Sequence, residues 1–443
     1  MNRERRKTSA VGAGRRRGAG AAIAGMLLLA ITGAVWTEAL PSVTAAVPAW
    51  IALALLWPGL GRQQHVQTLA FIGAGAAALL WAAGRGTPPD VESVLAQNQP
   101  ILSMLAAVTA LRLLNPPPRP DEPELPRGLG AYFRSMLGVH AFGAVINVSA
   151  VVIMADRLAR VRPLAPSQAQ LLSRAFSAVA FHSPFIGGVA LALAYTPGSN
   201  PLVLMAYGVP LALAAFLLLA WYAYSRREDI AHFRGYPIHP EDLRVPVALG
   251  ATVLGAAALT SGYSVLSLIT LFTPVVVAIA LLRRGGVRGL RAAVDDYVRT
   301  RAPEMGGELA LFLGAGVMAA GLVAASSAAG GWMFFVRLDA FHASLLVLAC
   351  IVTSAACIHP VVIVGVVAPL VERIDLDPTF LAVALAMGWG LGCAVNPMSG
   401  VNVILSSRYG VSNWRLARGN LPYSATLYGV AVGLLYLYQA VRL

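Results

Sequence analysis

"GCAVNPMSGVNVILSSRYGVSNWR", Gly392 to Arg415, is the stretch whose reading decides the fold. It lies in one of the most apolar parts of the chain. Yet before its first arginine it carries Asn396, Pro397, Asn402, two glycines and three serines. Proline removes an N–H and frees a carbonyl, and glycine lets the backbone turn. Irregular backbone at membrane depth is tolerated only where protein buries it or where it lines a cavity. The stretch therefore reads as the break in a discontinuous membrane helix, with polar ligands gathered at mid-depth.

The rest of the chain supports a membrane setting. Of 443 residues, 58% are hydrophobic and 12% charged, and the mean hydropathy is +0.70. Soluble domains carry about 25% charged residues. Apolar runs of about 20 residues, enough to cross a bilayer of about 30 Å, recur from end to end. The alternation that a β-barrel needs is absent. The class is an all-α polytopic membrane protein, with about 11 transmembrane helices on this reading.

The net charge of +13 fits the positive-inside rule better than binding of nucleic acid. Segments assigned to the cytoplasm collect 29 of the 33 basic residues, leaving Arg85, Arg337, Arg373 and Arg442 outside. That split places the N-terminus in the cytoplasm and the C-terminus outside, in an inner (plasma) membrane. It also requires two apolar segments with polar centres, 136–156 and 340–370, to return to the side they entered from. They read as re-entrant hairpins.

The expected order is a basic cytoplasmic tail, 1–18, then a first repeat over 19–224. That repeat holds helices 1–4, the inner hairpin, broken helix 5 and helix 6. Its first apolar run, Ala19 to Trp36, reads as an uncleaved helix rather than a signal peptide. Asn115 to Gly128, with six prolines, is a solvated linker. A cytoplasmic loop, 225–244, leads to the second repeat, 245–443, with helices 7–9, the outer hairpin, broken helix 10 and helix 11. Arg283 to Arg301 reads as an amphipathic interfacial helix. The two repeats run in opposite senses. Such inverted repeats typify secondary transporters, whose sites lie at discontinuous helices near the midplane.

Polar spots recur in the same order. Thr196-Pro197-Gly198-Ser199-Asn200 follows the first hairpin, and Asn396-Pro397-Met398-Ser399-Gly400-Val401-Asn402 follows the second. Freed carbonyls and Asn or Ser side chains suit Na⁺, while free N–H groups at helix N-termini suit a carboxylate. The order of hairpin, broken helix and final helix resembles the ion transporter superfamily. This group includes divalent anion/sodium symporters, citrate and arsenite permeases and the large subunits of TRAP transporters. Symporters of the group carry a Ser-Asn-Thr tip in each hairpin and a Thr-Pro-Pro-Asn-like break afterwards. The first tip here resembles that pattern at Asn147-Val148-Ser149. The second departs from it, with Ser354 and then His359-Pro360. The resemblance covers residues 95–440. It implies an elevator-type secondary transporter, usually dimeric, for a small organic anion driven by Na⁺ or H⁺.

On this reading Asn147, Val148, Ser149, His359, Pro360, Thr196, Pro197, Ser399 and Gly400 bind substrate. Ser199, Asn200, Asn396, Asn402, Ser354 and His182 couple the cation. The plainer alternatives are hairpin tips and kinks that only satisfy their own backbone. His182 and His359 are candidates because an intramembrane histidine is costly, with His140 and His342 behind them. Intramembrane acids are scarce: Asp156 and Glu308 fall near helix ends and Glu38 in an outer loop, so a carboxylate proton relay is not expected. Cys350, Cys357 and Cys393 lack metal-ligand spacing and read as core residues. No cofactor or metal is expected beyond the coupling ion. The partners expected are the anion, the bilayer and a second copy of the chain. A TRAP-type system would add an extracytoplasmic binding protein. An inorganic-anion permease is a further alternative. Phosphate-cradling, zinc-protease and serine-hydrolase motifs are absent, so an enzyme is not the expectation.

Overall fold

In the computed structural model, residues 2–36, 42–114, 125–160, 162–236, 244–260, 262–331, 337–367, 374 and 376–443 are described. Glu38, most of the proline-rich linker (115–124), part of the central loop (237–243) and the end of the second hairpin (368–370) lie outside them. Helices make up the described residues, with one isolated antiparallel bridge between Arg127 and Arg234. Among those residues, eight helical stretches are long and apolar enough to cross a membrane. Shorter apolar helices are Val43–Gly59, Pro246–Leu259 and Ala340–Ala355. The chain is an integral membrane protein built of helices.

The chain divides into two compact units, each drawn from both halves of the sequence. One comprises Met1–Pro116 and Ala251–Trp332, the other Pro117–Gly250 and Met333–Leu443. In the first unit, helices Arg62–Gly84 and Gly306–Ala328 cross at small residues. A Cβ on Gly321 would sit 2.4 Å from the Gly75 carbonyl oxygen, so only glycine permits that approach. Close crossings of this kind hold helices together in lipid, where no hydrophobic drive separates them from solvent. Buried polar groups add specificity. Asn98 donates to the Phe312 carbonyl at 2.8 Å and the Tyr297 hydroxyl to that of Ala106 at 2.9 Å. Arg112 pairs with Glu304. The segment read as an interfacial helix continues from helix Val265–Asp296, which kinks at Gly286 (φ 59°).

The second unit holds one motif twice. Its first copy is a pair of helices, Leu129–Ile146 and Ser149–Leu158, joined at Asn147 and Val148. Then come Pro166–Ser177 with a 3-10 turn, Ala178–Phe181, a gap at 182–186, helix Gly187–Tyr195 and the long helix Pro201–Ser225. The second copy is Ala340–Ala355, a tip at 356–360 and Val361–Val367. It continues with Pro378–Val395, a gap at 396–399, Gly400–Tyr409 and the long helix Asn413–Arg442. Each tip turns through a non-glycine residue at positive φ: Asn147 at 57° and Cys357 at 68°. Asn147 tolerates this because its Oδ1 accepts the next N–H, that of Val148, at 2.7 Å.

The internal match differs from the one read in the sequence. Thr196–Asn200 is not the interruption of the first broken helix. It is the turn after it, and its polar groups serve as caps. Thr196 Oγ1 donates to the Ala192 carbonyl at 2.8 Å. Asn200 Oδ1 accepts the Leu202 and Val203 N–H groups at 2.9 and 3.2 Å, with Pro201 at the first helical position. Its counterpart is Gly410–Ser412, where Gly410 is left-handed and Ser412 Oγ accepts the Arg415 N–H. The true first interruption is His182-Ser183-Pro184-Phe185-Ile186, opposite Asn396-Pro397-Met398-Ser399.

Candidate functional site: two helix interruptions

Both interruptions lie in the second unit. At Asn396–Ser399 the missing helical turn leaves carbonyls that the amides of Asn402, Asn420 and Asn413 fill, Asn413 Nδ2 donating to the Pro397 carbonyl at 3.1 Å. Asn402 Nδ2 donates to the carbonyls of Asn396 at 2.9 Å and Ala394 at 3.3 Å. Asn420 Nδ2 reaches the Ala394 carbonyl at 2.9 Å. Asn396 Nδ2 reaches across to the second hairpin tip, at the Ile358 carbonyl (3.2 Å), while its Oδ1 accepts the Met398 N–H at 2.7 Å. Ser173, on the first broken helix, donates to Asn402 Oδ1 at 2.9 Å. The two broken helices thus share one polar network. Asn396, Asn402 and Asn420 are all 0% exposed.

Arg174 closes that network. Its Nε donates to Asn420 Oδ1 at 2.8 Å and its Nη2 to the Gly419 carbonyl at 2.6 Å. The rings of Tyr222 and Tyr423 lie over the guanidinium. No carboxylate takes part in these contacts, so the charge is held by dipoles and aromatic faces.

Two side chains stand apart. The hydroxyls of Ser354 and Ser399 are buried without a hydrogen-bond partner. Ser399 is the N-cap of helix Gly400–Tyr409, yet its side chain makes no capping bond. The first-turn N–H groups of that helix have no helical acceptor. Ser354 sits where hairpin arm Ala340–Ala355 meets Gly392. A Cβ on Gly392 would lie 2.6 Å from Ser354 Oγ. An unpaired buried hydroxyl costs about 1–3 kcal/mol, and a hydroxyl beside free N–H groups suits an anionic ligand.

The other predicted residues fall into four places. His359 and Pro360 are at the second tip, where His359 Nδ1 accepts the Val361 N–H (3.3 Å). That leaves its Nε2 as the donor, with its ring edge-on to Trp389 at 5.0 Å. Asn147, Val148 and Ser149 form the first tip. Thr196, Pro197, Ser199 and Asn200 are not brought to either interruption. They lie beyond nine-residue helix Gly187–Tyr195, roughly 13 Å of helix away.

His182 opens the first interruption, and its Nε2 lies 3.0 Å from His140 Nε2 on the hairpin arm. Beside it, Ser183 Oγ donates to the Ala144 carbonyl at 2.5 Å. Trp389 joins the helix after the first interruption to the second hairpin tip. A Cβ on Gly188 would lie 2.3 Å from its indole ring, and its other neighbour is His359. Sequence reasoning missed Trp389, Gly188, Ser173, Arg174 and Asn420. The run Gly388-Trp389-Gly390-Leu391-Gly392 held a usable clue, since one bulky ring among glycines marks a tight crossing. The partners of Ser173 and Arg174 lie more than 200 positions away and left no local trace.

With this geometry in hand, the class is a polytopic helical membrane protein with a duplicated hairpin and interrupted-helix motif. Among solved structures, the fold is similar to the crystal structure of the Alcanivorax borkumensis YdaH transporter, described as having an unusual topology. The TM-score is 0.51 at 14% identity, over 84% of this chain and 98% of that chain. At this identity the likeness is one of fold. No family model and no curated protein matches the chain.

Proposed function

We propose that the chain is a secondary active transporter of the elevator type for a small organic anion, a carboxylate, coupled to Na⁺ or H⁺. The observation that carries the reading is the buried, unpartnered hydroxyl of Ser399 at the N-terminus of helix Gly400–Tyr409, with a second one, Ser354, against Gly392 on the helix that leads into the same interruption. Likeness of fold to a transporter supports it. On this reading the hairpins are re-entrant. The unit holding them and both interruptions is the moving body. The other unit is the scaffold and dimerises. The chain does not act as an enzyme.

Ser354, Ser399, Gly400 and the first-turn N–H groups hold the carboxylate, with His359 Nε2–H and the first tip, Asn147 to Ser149, as further donors. Arg174 adds favourable potential through the shared network. Asn396 and Asn402 take a different part from the cation ligands first expected of them, because the Asn402 amide fills freed carbonyls and the Asn396 amide is spent on the hairpin tip. They position the anion site.

The test is uptake into proteoliposomes across a panel of carboxylates, with and without Na⁺ and pH gradients. Saturable uptake that Ser399→Ala and Ser354→Ala weaken is expected. No uptake of any carboxylate under either gradient, with intact protein in the membrane, sinks the reading.

A further inference from the structure

The contact between His140 and His182 is fixed by more than proximity. His140 Nδ1 lies 3.2 Å from the Ala175 carbonyl oxygen. A carbonyl only accepts, so this nitrogen carries the hydrogen, and neutral His140 presents a bare Nε2. The facing His182 Nε2, 3.0 Å away, must then be the donor. The neutral pair is therefore locked as His182 Nε2–H to His140 Nε2. Among the described residues, His182 Nδ1 has no hydrogen-bond partner, which leaves its lone pair to take a proton.

No acidic residue lies on the segments that carry the two rings. Asp156 and Glu228 bracket a stretch with no acidic residue, and Leu129–Ile146 has none. The helices packed around the pair bring these titratable groups: Tyr132 and Arg134 on the hairpin arm, Asp156 and Arg157 on Ser149–Leu158, Arg174 on Pro166–Ser177, Tyr195 on Gly187–Tyr195, Tyr207, Tyr222 and Tyr224 on Pro201–Ser225, Arg227 and Glu228 on Arg227–Ala231, and Cys393 on Pro378–Val395. Arg174 is engaged with Asn420 and Gly419. The rings' own contacts are with each other and, for His140, with Phe216 edge-on at 4.6 Å.

We propose that His140 and His182 form a binding site for a single proton, which ties the first hairpin to the first interruption and supplies the coupling ion of transport. The proton, taken from water, bonds to His182 Nδ1. The resulting imidazolium keeps its Nε2–H on neutral His140, so two rings hold one charge. The hydrogen bond becomes ionic and about twice as strong, drawing hairpin arm Leu129–Ile146 onto the break. A second proton has to take the Nε2 of His140, which is already accepting, and puts two cations 3.0 Å apart. Release of the proton to water restores the weaker neutral bond. The coupling role rests on the transporter reading; the proton site does not.

The test uses the full chain, ¹⁵N-labelled at its seven histidines, in lipid bilayers. The expected result is a ¹⁵N–¹⁵N coupling through the hydrogen bond between the two Nε2 atoms. On acidification one ring becomes imidazolium while its partner stays neutral. His140→Asn removes the coupling and moves the His182 midpoint by about one pH unit or more. His140→Gln stands in if that variant does not fold. Absence of the coupling at every pH, both rings charging in one step, or an unmoved His182 midpoint overturns the proposal. In vesicles filled with a pH-sensitive dye, carboxylate addition should acidify the lumen with the natural chain and not with His182→Asn. Acidification that persists in His182→Asn overturns the coupling role. If no carboxylate moves in the natural chain, the transporter reading fails while the NMR result decides the proton site alone.

Discussion

At the first interruption, residues 182–186, the chain is held by a histidine pair, one serine hydroxyl on a carbonyl, and an indole lying on Gly188. At the second, residues 396–399, the amides of Asn402, Asn413 and Asn420 fill freed carbonyls, while the hydroxyl of Ser399, and that of Ser354 on the neighbouring hairpin arm, has no partner. The backbone problem is the same in both: carbonyls and N–H groups released at membrane depth must be satisfied. In the first copy the gap is tied to the hairpin arm by side chains, two of which can exchange a proton, and the Ser183 hydroxyl accepts the Phe185 N–H. The second copy fills its freed carbonyls with amides that cannot, and leaves hydroxyls over. On the reading proposed above, the duplicated motif would provide two sites of different chemistry, one for a proton and one for an anion.

The sharpest way to break this contrast is Asn402→Leu. The change removes an amide that donates to two carbonyls and accepts from Ser173. Each buried polar group left unpaired costs about 1–3 kcal/mol, so a loss of about 3 kcal/mol or more is expected. The change should give the largest fall in melting temperature of the set, measured in detergent. A melting temperature equal to that of the natural chain would show that the amide network does not hold the second interruption.

Gly188→Ala probes the link between the two copies. The new Cβ falls 2.3 Å from the Trp389 ring, and overpacking of this kind costs about 1–3 kcal/mol. If the indole is the bridge, Trp389→Leu should restore part of the loss in the double variant. A strictly additive double-mutant cycle removes Trp389 from that role.

These two residues also show what the sequence made legible. Helicity, the membrane setting, the paired polar tips and the second interruption all follow from local composition, because proline, glycine and asparagine in an apolar run have few other uses. The first interruption was misplaced by the length of one short helix, the nine residues of Gly187–Tyr195. Thr196-Pro197-Gly198-Ser199-Asn200 carries the stronger local turn signal, yet it caps a helix end. The actual gap, at His182-Ser183-Pro184, depends on a partner histidine 42 positions earlier. Likewise, Ser173 and Arg174 look like ordinary residues of an amphipathic helix. Only the fold brings Asn402 and Asn420 to them.

Ser183→Ala tests how lightly the first interruption is tied. It removes one hydroxyl that donates to the Ala144 carbonyl on the hairpin arm. The net worth of such a bond is about 1 kcal/mol. A small fall in melting temperature is expected, clearly less than for Asn402→Leu. The hairpin should exchange its amide hydrogens faster around Ala144. Equal losses for the two variants would erase the difference between the copies.

The smallest effect on stability is expected where the site reading is most exposed. Ser399 is 1% exposed and Ser354 is 0%, and neither hydroxyl has a partner. In most proteins a buried serine is spent on a carbonyl, and its loss is felt. Here truncation deletes a group that gains nothing from the fold and relieves its desolvation. Ser399→Ala and Ser354→Ala should therefore melt within about 0.5 kcal/mol of the natural chain, or slightly above it. The stabilisation that a bound carboxylate confers should shrink in both. A hydroxyl kept unpaired inside a membrane protein is explicable if something else pairs with it part of the time. A loss of stability as large as that from Ser183→Ala means that Ser399 and Ser354 have structural partners after all. The anion site would then have to be sought at the first tip, around Asn147 and Ser149.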